Sequence, residues 1–339
     1  MRRVFAIGLA LFVVALTVPQ AVAAEVEIGY QRVYDPWMNA IASGQFERAT
    51  GVDIEWRAFE SSLETMGALA RGEIQIAHAG GTALAGAASV GVNFQIFWVL
   101  HDINAAEALV VRNGSGIEGP QGLRGKRIAV PVGSTAHYHL LFALEQFNID
   151  LRHVVLVRRD PQDLLRDWEN GEIDAAFVWN PVLAEIEKTG KTLLTSGHLR
   201  RWGRPTFAAL AVNPEWALEN PGFMTAFVGT IAAADNAYRR NPGAWTRETP
   251  EIRNIARIVR GTPKAAAEAL RLYAYPSMRD QTSRQWLGGG SVGGVAQSLL
   301  DNATFLKERG QLRTVRSDYA EFVTDEWIRR TLAGRLQRN

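Results

Sequence analysis

The chain has 339 residues, 47% of them hydrophobic and 21% charged, enough to bury a large core and long enough for two domains or lobes. Its 37 basic and 35 acidic residues leave a net charge of +2 with no long run of one sign, which argues against nucleic acid as the main partner. Cysteine is absent, so disulfides, thiolate chemistry and a lipid-modified cysteine are excluded.

The N-terminal stretch reads as a secretory signal over residues 1–24: MRR is basic, VFAIGLALFVVALTV is apolar, and QAVAA ends in small residues. Cleavage after Ala23 or after Ala24 fits the small-residue rule equally well. The apolar run is shorter than the roughly 20 residues that span a bilayer, so the mature chain is expected to be soluble and periplasmic.

From Glu25 the pattern alternates between strand and helix periods. VEIGY is a strand, PWMNAIASGQFERATG a helix closed by Gly51, VDIEWRAF a strand, SSLETMGALARGE a helix capped by Ser61 or Ser62, and IQIAHA a strand. After NFQIFWVLHD and EALVVRN the order repeats with KRIAV, a helix over the STAHYHLL stretch, VVLV, the helix PQDLLRDWENGE, and IDAAFVW. The closest internal echo sets RGEIQIAHAGG at Arg71 against NGEIDAAFVWN at Asn170; each has a Gly at a helix end and a short apolar strand. From Thr206 the chain holds the apolar run FAALAV, several helices punctuated by Pro, a glycine-rich stretch near Gly288 expected as a flexible loop, and two final helices. Two βαβαβ units predict an α/β fold of two lobes, each a mainly parallel sheet flanked by helices, with ligands bound beyond the carboxyl ends of the strands.

The segment VPVGSTAHYHLL, Val130 to Leu141, passes from a strand through Gly133 into a helix that starts at Ser134 and Thr135. A helix start presents unpaired N–H groups and a positive dipole end, and so accepts an anion without Lys or Arg; a plain Ser/Thr cap with no ligand fits the same residues. His137 and His139 point roughly 200 degrees apart on a helix and cannot share a metal. A Ser134/His137 nucleophilic pair lacks an orienting carboxylate and the G-x-S-x-G elbow, so no catalytic residue, metal or cofactor is expected. His137 remains a candidate to face a ligand. Gly81 and Thr82 begin a second helix of the same design. Tyr30, Gln31, Trp179 and Asn180 stand at strand ends with polar tips and flat apolar walls. Glu107 offers a counter-charge for an ammonium group in a dry cleft, and a solvated surface glutamate is the alternative.

The order and spacing of EALVV at Glu107, GKRIAVP with STAHY, GEIDAAFVW with Pro181, WGRPT at Trp202 and FLKERG at Phe305 resemble the taurine-binding family of bacterial ABC importers, within the wider sulfonate, nitrate and taurine group. The resemblance implies a type II periplasmic-binding-protein fold closing like a hinged trap, with lobe one over 25–112 and 206–339, including C-terminal helices, and lobe two over 113–205. It implies a monomer that captures taurine or a related small sulfonate and delivers it to an inner-membrane permease and its ATPase. Ser134, Thr135 and Thr82 then match the sulfonate donors, Glu107 the ammonium partner, and Trp179 the wall along the ethyl chain. Two positions depart from the family pattern. Ala208 stands where taurine binders carry Asp, and Gly81-Thr82-Ala83 replaces a Ser-Ser-Pro run. An amine-free sulfonate or another small organic anion is therefore the rival ligand, Asp102 is a candidate to replace the missing partner, and an enzyme on the same fold is a further rival.

Overall fold

A computed structural model describes residues 26–336; the expected signal at 1–24 lies outside the described residues. In chain order, lobe one begins with β1 (Val26–Gln31), α1 (Trp37–Ala42), α2 (Gln45–Thr50), β2 (Ile54–Phe59), α3 (Ser62–Ala70), β3 (Ile76–Gly80), α4 (Gly81–Ser89) and β4 (Gln95–Asp102). Then come β5 (Glu107–Arg112), β6 (Arg127–Val130), α5 (Thr135–Gln146), β7 (Val155–Arg158), α6 (Pro161–Glu169), β8 (Ala175–Trp179), α7 (Val182–Ile186), β9 (Gly190–Thr195) and α8 (Ser196–Arg201). The chain returns through β10 (Phe207–Val212) and closes with α9 (Pro214–Glu219), α10 (Pro221–Arg240), α11 (Pro250–Val259), α12 (Pro263–Ala269), α13 (Met278–Gln281), α14 (Gly294–Glu308) and α15 (Glu326–Leu336).

Two five-stranded sheets result, in the orders β2-β1-β3-β10-β4 and β7-β6-β8-β5-β9. In each, the fourth strand runs antiparallel to both neighbours, and in each it is the strand that has just crossed from the other lobe. The expected boundary at residue 112 is thereby corrected. β5 is buried along almost its whole length and hydrogen-bonds between β8 and β9, so the first crossing is the segment 103–106 and Glu107 already belongs to lobe two. The second crossing runs from the end of α8 to β10.

One predicted helix is two. The stretch from Pro36 to Gly51 breaks at Gly44, which takes φ +63, and the hydroxyl of Ser43 bonds back to the Asn39 carbonyl at 2.6 Å. The break lets Trp37 and Phe46 both turn inward, with ring centroids 6.3 Å apart, against Trp56 and Phe227. The glycine-rich stretch near Gly288 is a compact turn, with a 3₁₀ segment at Gly290–Val292 before α14.

The internal echo is a structural repeat. Gly72 at φ +72 and Gly171 at φ +74 end α3 and α6 in left-handed conformation, with N–H donated to the carbonyls of Leu69 and Trp168. Three residues on, the side chain of Gln75 accepts from the Glu27 N–H, and that of Asp174 accepts from the Arg127 N–H, both at 2.8 Å. Each thus fastens its turn to the first strand of its own βαβαβ unit, β1 or β6, which brings the carboxyl ends of β3 and β8 to the gap between the lobes.

The helices after β10 pack on the lobe-one sheet in one large core, while lobe two has smaller clusters on the two faces of its own sheet. α14 reaches across: Phe305 joins the lobe-two core, edge-on to Tyr138 at 5.1 Å, and Arg309 pairs with Glu145 of α5.

Candidate functional site

A cavity lies between the lobes at the carboxyl ends of the strands, with room of about 30 Å³ for the centres of small atoms, enough for an occupant of a few heavy atoms. Gln31, Val33, Ser62, His78, Gly80, His101, Ile103, Ala208 and Tyr273 line it from lobe one, and Glu107, Ser134, Thr135 and Trp179 from lobe two. None of these residues is Lys or Arg, so an anion there meets hydroxyls, imidazoles and backbone N–H groups instead of a formal positive charge.

Of the residues expected from sequence, Gln31, Glu107, Ser134, Thr135 and Trp179 come together around this cavity. The other five lie elsewhere. Tyr30 is buried in the lobe-one core, and Gly81 backs onto the ring of Phe207. The Thr82 hydroxyl donates to Asn302 of α14 at 2.9 Å, facing a separate apolar groove that His137 also lines. His137 Nδ1 accepts from the Gly133 N–H, and Asn180 Oδ1 accepts from the Ala184 N–H. Asp102, the candidate replacement partner, is paired with Arg200 at 2.8 Å and borders a different pocket.

Ser134 is a working N-cap: its Oγ accepts from the His137 N–H at 3.1 Å and donates to the Pro131 carbonyl at 2.6 Å. Because the cap satisfies the third helical N–H, those of Thr135 and Ala136 remain for a ligand at the positive end of the dipole. Ser62, in the first turn of α3, accepts from the Gly80 N–H at 3.1 Å and from the Gln31 amide at 2.9 Å. Gln31 also donates to the His78 carbonyl, so these lobe-one groups form a single fixed wall.

Glu107 is buried, and burial raises its pKa to about 7 against the opposing effect of the hydrogen bond from Thr135. The neighbouring bonds fit a proton on it. His139 Nε2 faces the Arg204 carbonyl at 2.9 Å and must donate there, and burial holds the ring neutral, with a pKa near 4. Its Nδ1 is then an acceptor for the Ser196 hydroxyl at 2.7 Å, which leaves Ser196 Oγ, 3.1 Å from Glu107 Oε2, able to accept a proton from the glutamic acid.

Two imidazoles were not among the expected site residues. His78 Nδ1 accepts from the Gln31 N–H at 3.3 Å, so the neutral ring carries its hydrogen on Nε2; burial lowers its pKa to about 3. His101 Nδ1 lies 2.5 Å from Asp35 Oδ2, with both side chains buried. Both histidines stand near the carboxyl ends of strands, the signal that would have drawn attention to them. Tyr273 had no such signal: the bridge between Ala274 and Asp102 carries it in from the C-terminal region.

A cavity between two α/β lobes that the chain crosses twice, walled by fixed polar groups from both sides, defines a two-lobed periplasmic-binding-protein fold. Solved structures share it: the alkanesulfonate-binding protein SsuA from Xanthomonas axonopodis pv. citri, bound to MOPS, superposes with a TM-score of 0.70 at 19% identity, covering 91% of this chain and 99% of that one. The chain belongs to the NMT1/THI5-like family, whose model matches residues 35–244. It is 34% identical over 310 residues to the taurine-binding periplasmic protein of Escherichia coli (strain K12), covering 91% of this chain and 94% of that protein. It is also 28% identical over 208 residues to a putative aliphatic sulfonates-binding protein of Bacillus subtilis (strain 168), covering 60% of this chain and 62% of that protein.

Proposed function

We propose that this protein is the solute receptor of an ABC importer, capturing taurine or a closely related small sulfonate by closure of its lobes and handing it to an inner-membrane permease driven by an ATPase. It works in the periplasm, after removal of residues 1–24 or 1–23. The observation that carries the ligand class is the meeting of two opposite features in one small cavity: the open start of α5 at Ser134 and Thr135, and the buried carboxyl of Glu107. The first suits a sulfonate, through charge-assisted bonds from the backbone in a water-poor site, and the second an ammonium group. Trp179 walls the short chain between them.

Calorimetry on the chain without residues 1–24, with taurine, isethionate, alkanesulfonates and β-alanine, tests this reading. Taurine is expected to bind tightly and β-alanine weakly, because a planar carboxylate has one oxygen fewer for the donors at the helix start. No binding of any sulfonate would refute it. A second reading, an amine-free sulfonate, is favoured by one observation: Ala208 lines the cavity and adds no carboxylate. Isethionate binding at least as tightly as taurine would decide for it.

A further inference from the structure

Glu107 has both carboxyl oxygens in contact with hydroxyls, Oε1 with Thr135 and Oε2 with Ser196. An ammonium group carries three hydrogens, and in a dry cavity each one left without an acceptor is costly. A second acceptor is therefore sought in the cavity wall, and the cross-strand neighbours His101 and Ala208 supply the place. They are paired in the antiparallel register between β4 and β10, beside a register shift between Ala208 and Ala209 that leaves Leu100 as an extra residue in β4. Such a bulge re-aims the side chains next to it. Here His101 lines the ligand cavity, while Asp102 turns to Arg200.

We infer that His101, backed by Asp35, is the acceptor for the cationic end of the ligand, at the spot where a carboxylate on residue 208 would otherwise reach. The assignment rests on the sulfonate reading and gives it a specificity device. Asp35 sits 2.5 Å from Nδ1, and its other oxygen accepts from the Trp37 N–H at 3.4 Å, so the ring turns its Nε2 edge to the cavity. Tyr273 packs on the imidazole with centroids 4.1 Å apart and locks its orientation. Tyr273 and Glu107 line the same cavity as His101.

The other titratable groups facing the dyad are His78 from β3, Asp102 from β4, Asp235 from α10, and Tyr275. Burial keeps His101 from taking a second proton and pushes Asp35 up, so the empty dyad is neutral. When an ammonium group arrives, the dyad releases one proton to solvent. Asp35 becomes a carboxylate, Nδ1–H donates to it, and the Nε2 lone pair accepts from the ligand, so that the charge on Asp35 balances the charge brought in.

Calorimetric titration of taurine and isethionate into the wild type, His101→Ala and His101→Ala with Ala208→Asp tests the assignment. The single variant should lose taurine affinity by roughly ten- to a hundredfold and isethionate affinity by much less, with the added aspartate restoring most of the taurine loss. Asp35→Asn guards against misfolding of the alanine variant. Its amide donates to Nδ1 and leaves Nε2–H facing the ligand, so taurine affinity should again fall more than that of isethionate. In buffers of different ionisation enthalpy, the same variant should release fewer protons on binding taurine. An unchanged taurine-to-isethionate ratio in both variants would overturn the role of the dyad while leaving the sulfonate reading intact. A wild type that binds neither ligand would overturn both.

Discussion

Glu107 carries a pH signature. Its pKa stands near 7 in the folded chain against an ordinary 4.5, so the folded state holds the proton more tightly than the unfolded state does. The stability this group contributes is then greatest below pH 4.5 and declines as pH rises to about 7, by a total of about 3 kcal/mol, after which it adds no further slope. Glu107→Gln should flatten that decline, as seen in urea unfolding curves at pH 5 and pH 8. Binding runs the other way. An ammonium ligand favours the carboxylate, so Glu107 alone should raise taurine affinity by up to roughly tenfold per pH unit between pH 5 and pH 7, on top of the proton released by the His101–Asp35 dyad, while the affinity for isethionate stays level. The place of Glu107 at the cavity could be read from its position before an apolar strand, and that of Ser134 and Thr135 from a strand turning into a helix. His101 could not. Its neighbour Asp102 has the more obvious charge, and only the bulge at Leu100 determines which of the two faces the cavity. A period-two pattern carries no trace of such a shift.

At the scale of elements, the repeated turn after α3 and α6 was visible as RGEI against NGEI, because a left-handed helix end demands glycine and the following strand demands apolar residues. An added Cβ would meet nothing within 4 Å at Gly72 or at Gly171, so replacement by alanine tests conformation alone. Gly72→Ala and Gly171→Ala should each cost about 1–2 kcal/mol in urea unfolding, with little effect on ligand binding. Unequal costs would mean that the two turns are alike in shape but not in energy. The boundary between the lobes was harder to read. EALVVRN continues the apolar character of NFQIFWVLHD, and nothing in either run marks which sheet receives it; pairing between β8 and β9 makes that choice. Three of the five expected residues outside the cavity, Thr82, His137 and Asn180, have a common explanation. Position at a strand end or helix start brings a residue near the cleft, but hydrogen bonds such as those of Thr82 to Asn302 and of Asn180 to Ala184 commit the side chain locally.

For the molecule as a whole, closure brings Gly80 of lobe one against Thr135 of lobe two. A Cβ on Gly80 would lie 3.1 Å from the Thr135 methyl, and the backbone of Gly80, with φ at −76, accepts any side chain without strain. Gly80→Val should therefore act as a wedge. Ligand affinity falls by about tenfold or more, a loss of at least about 1.4 kcal/mol, while unfolding of the ligand-free protein changes by less than about 0.5 kcal/mol. Small-angle scattering should show that saturating taurine contracts the wild type but not this variant. On the opposite side the lobes stay joined by the two crossings and by Phe305 seated in the lobe-two core, with Arg204 of the second crossing over its ring at 5.9 Å.

The position of β10 also sets the order in which the molecule can be built. It lies between β3 and β4, and among the described residues β4 pairs with no other strand, so until residue 207 has left the ribosome the first sheet is a three-stranded fragment and a lone strand. All strands of the second sheet come from the continuous stretch 107–195. The half that starts the chain is thus the half that finishes folding, and protection from protease during synthesis should appear first in the middle of the protein.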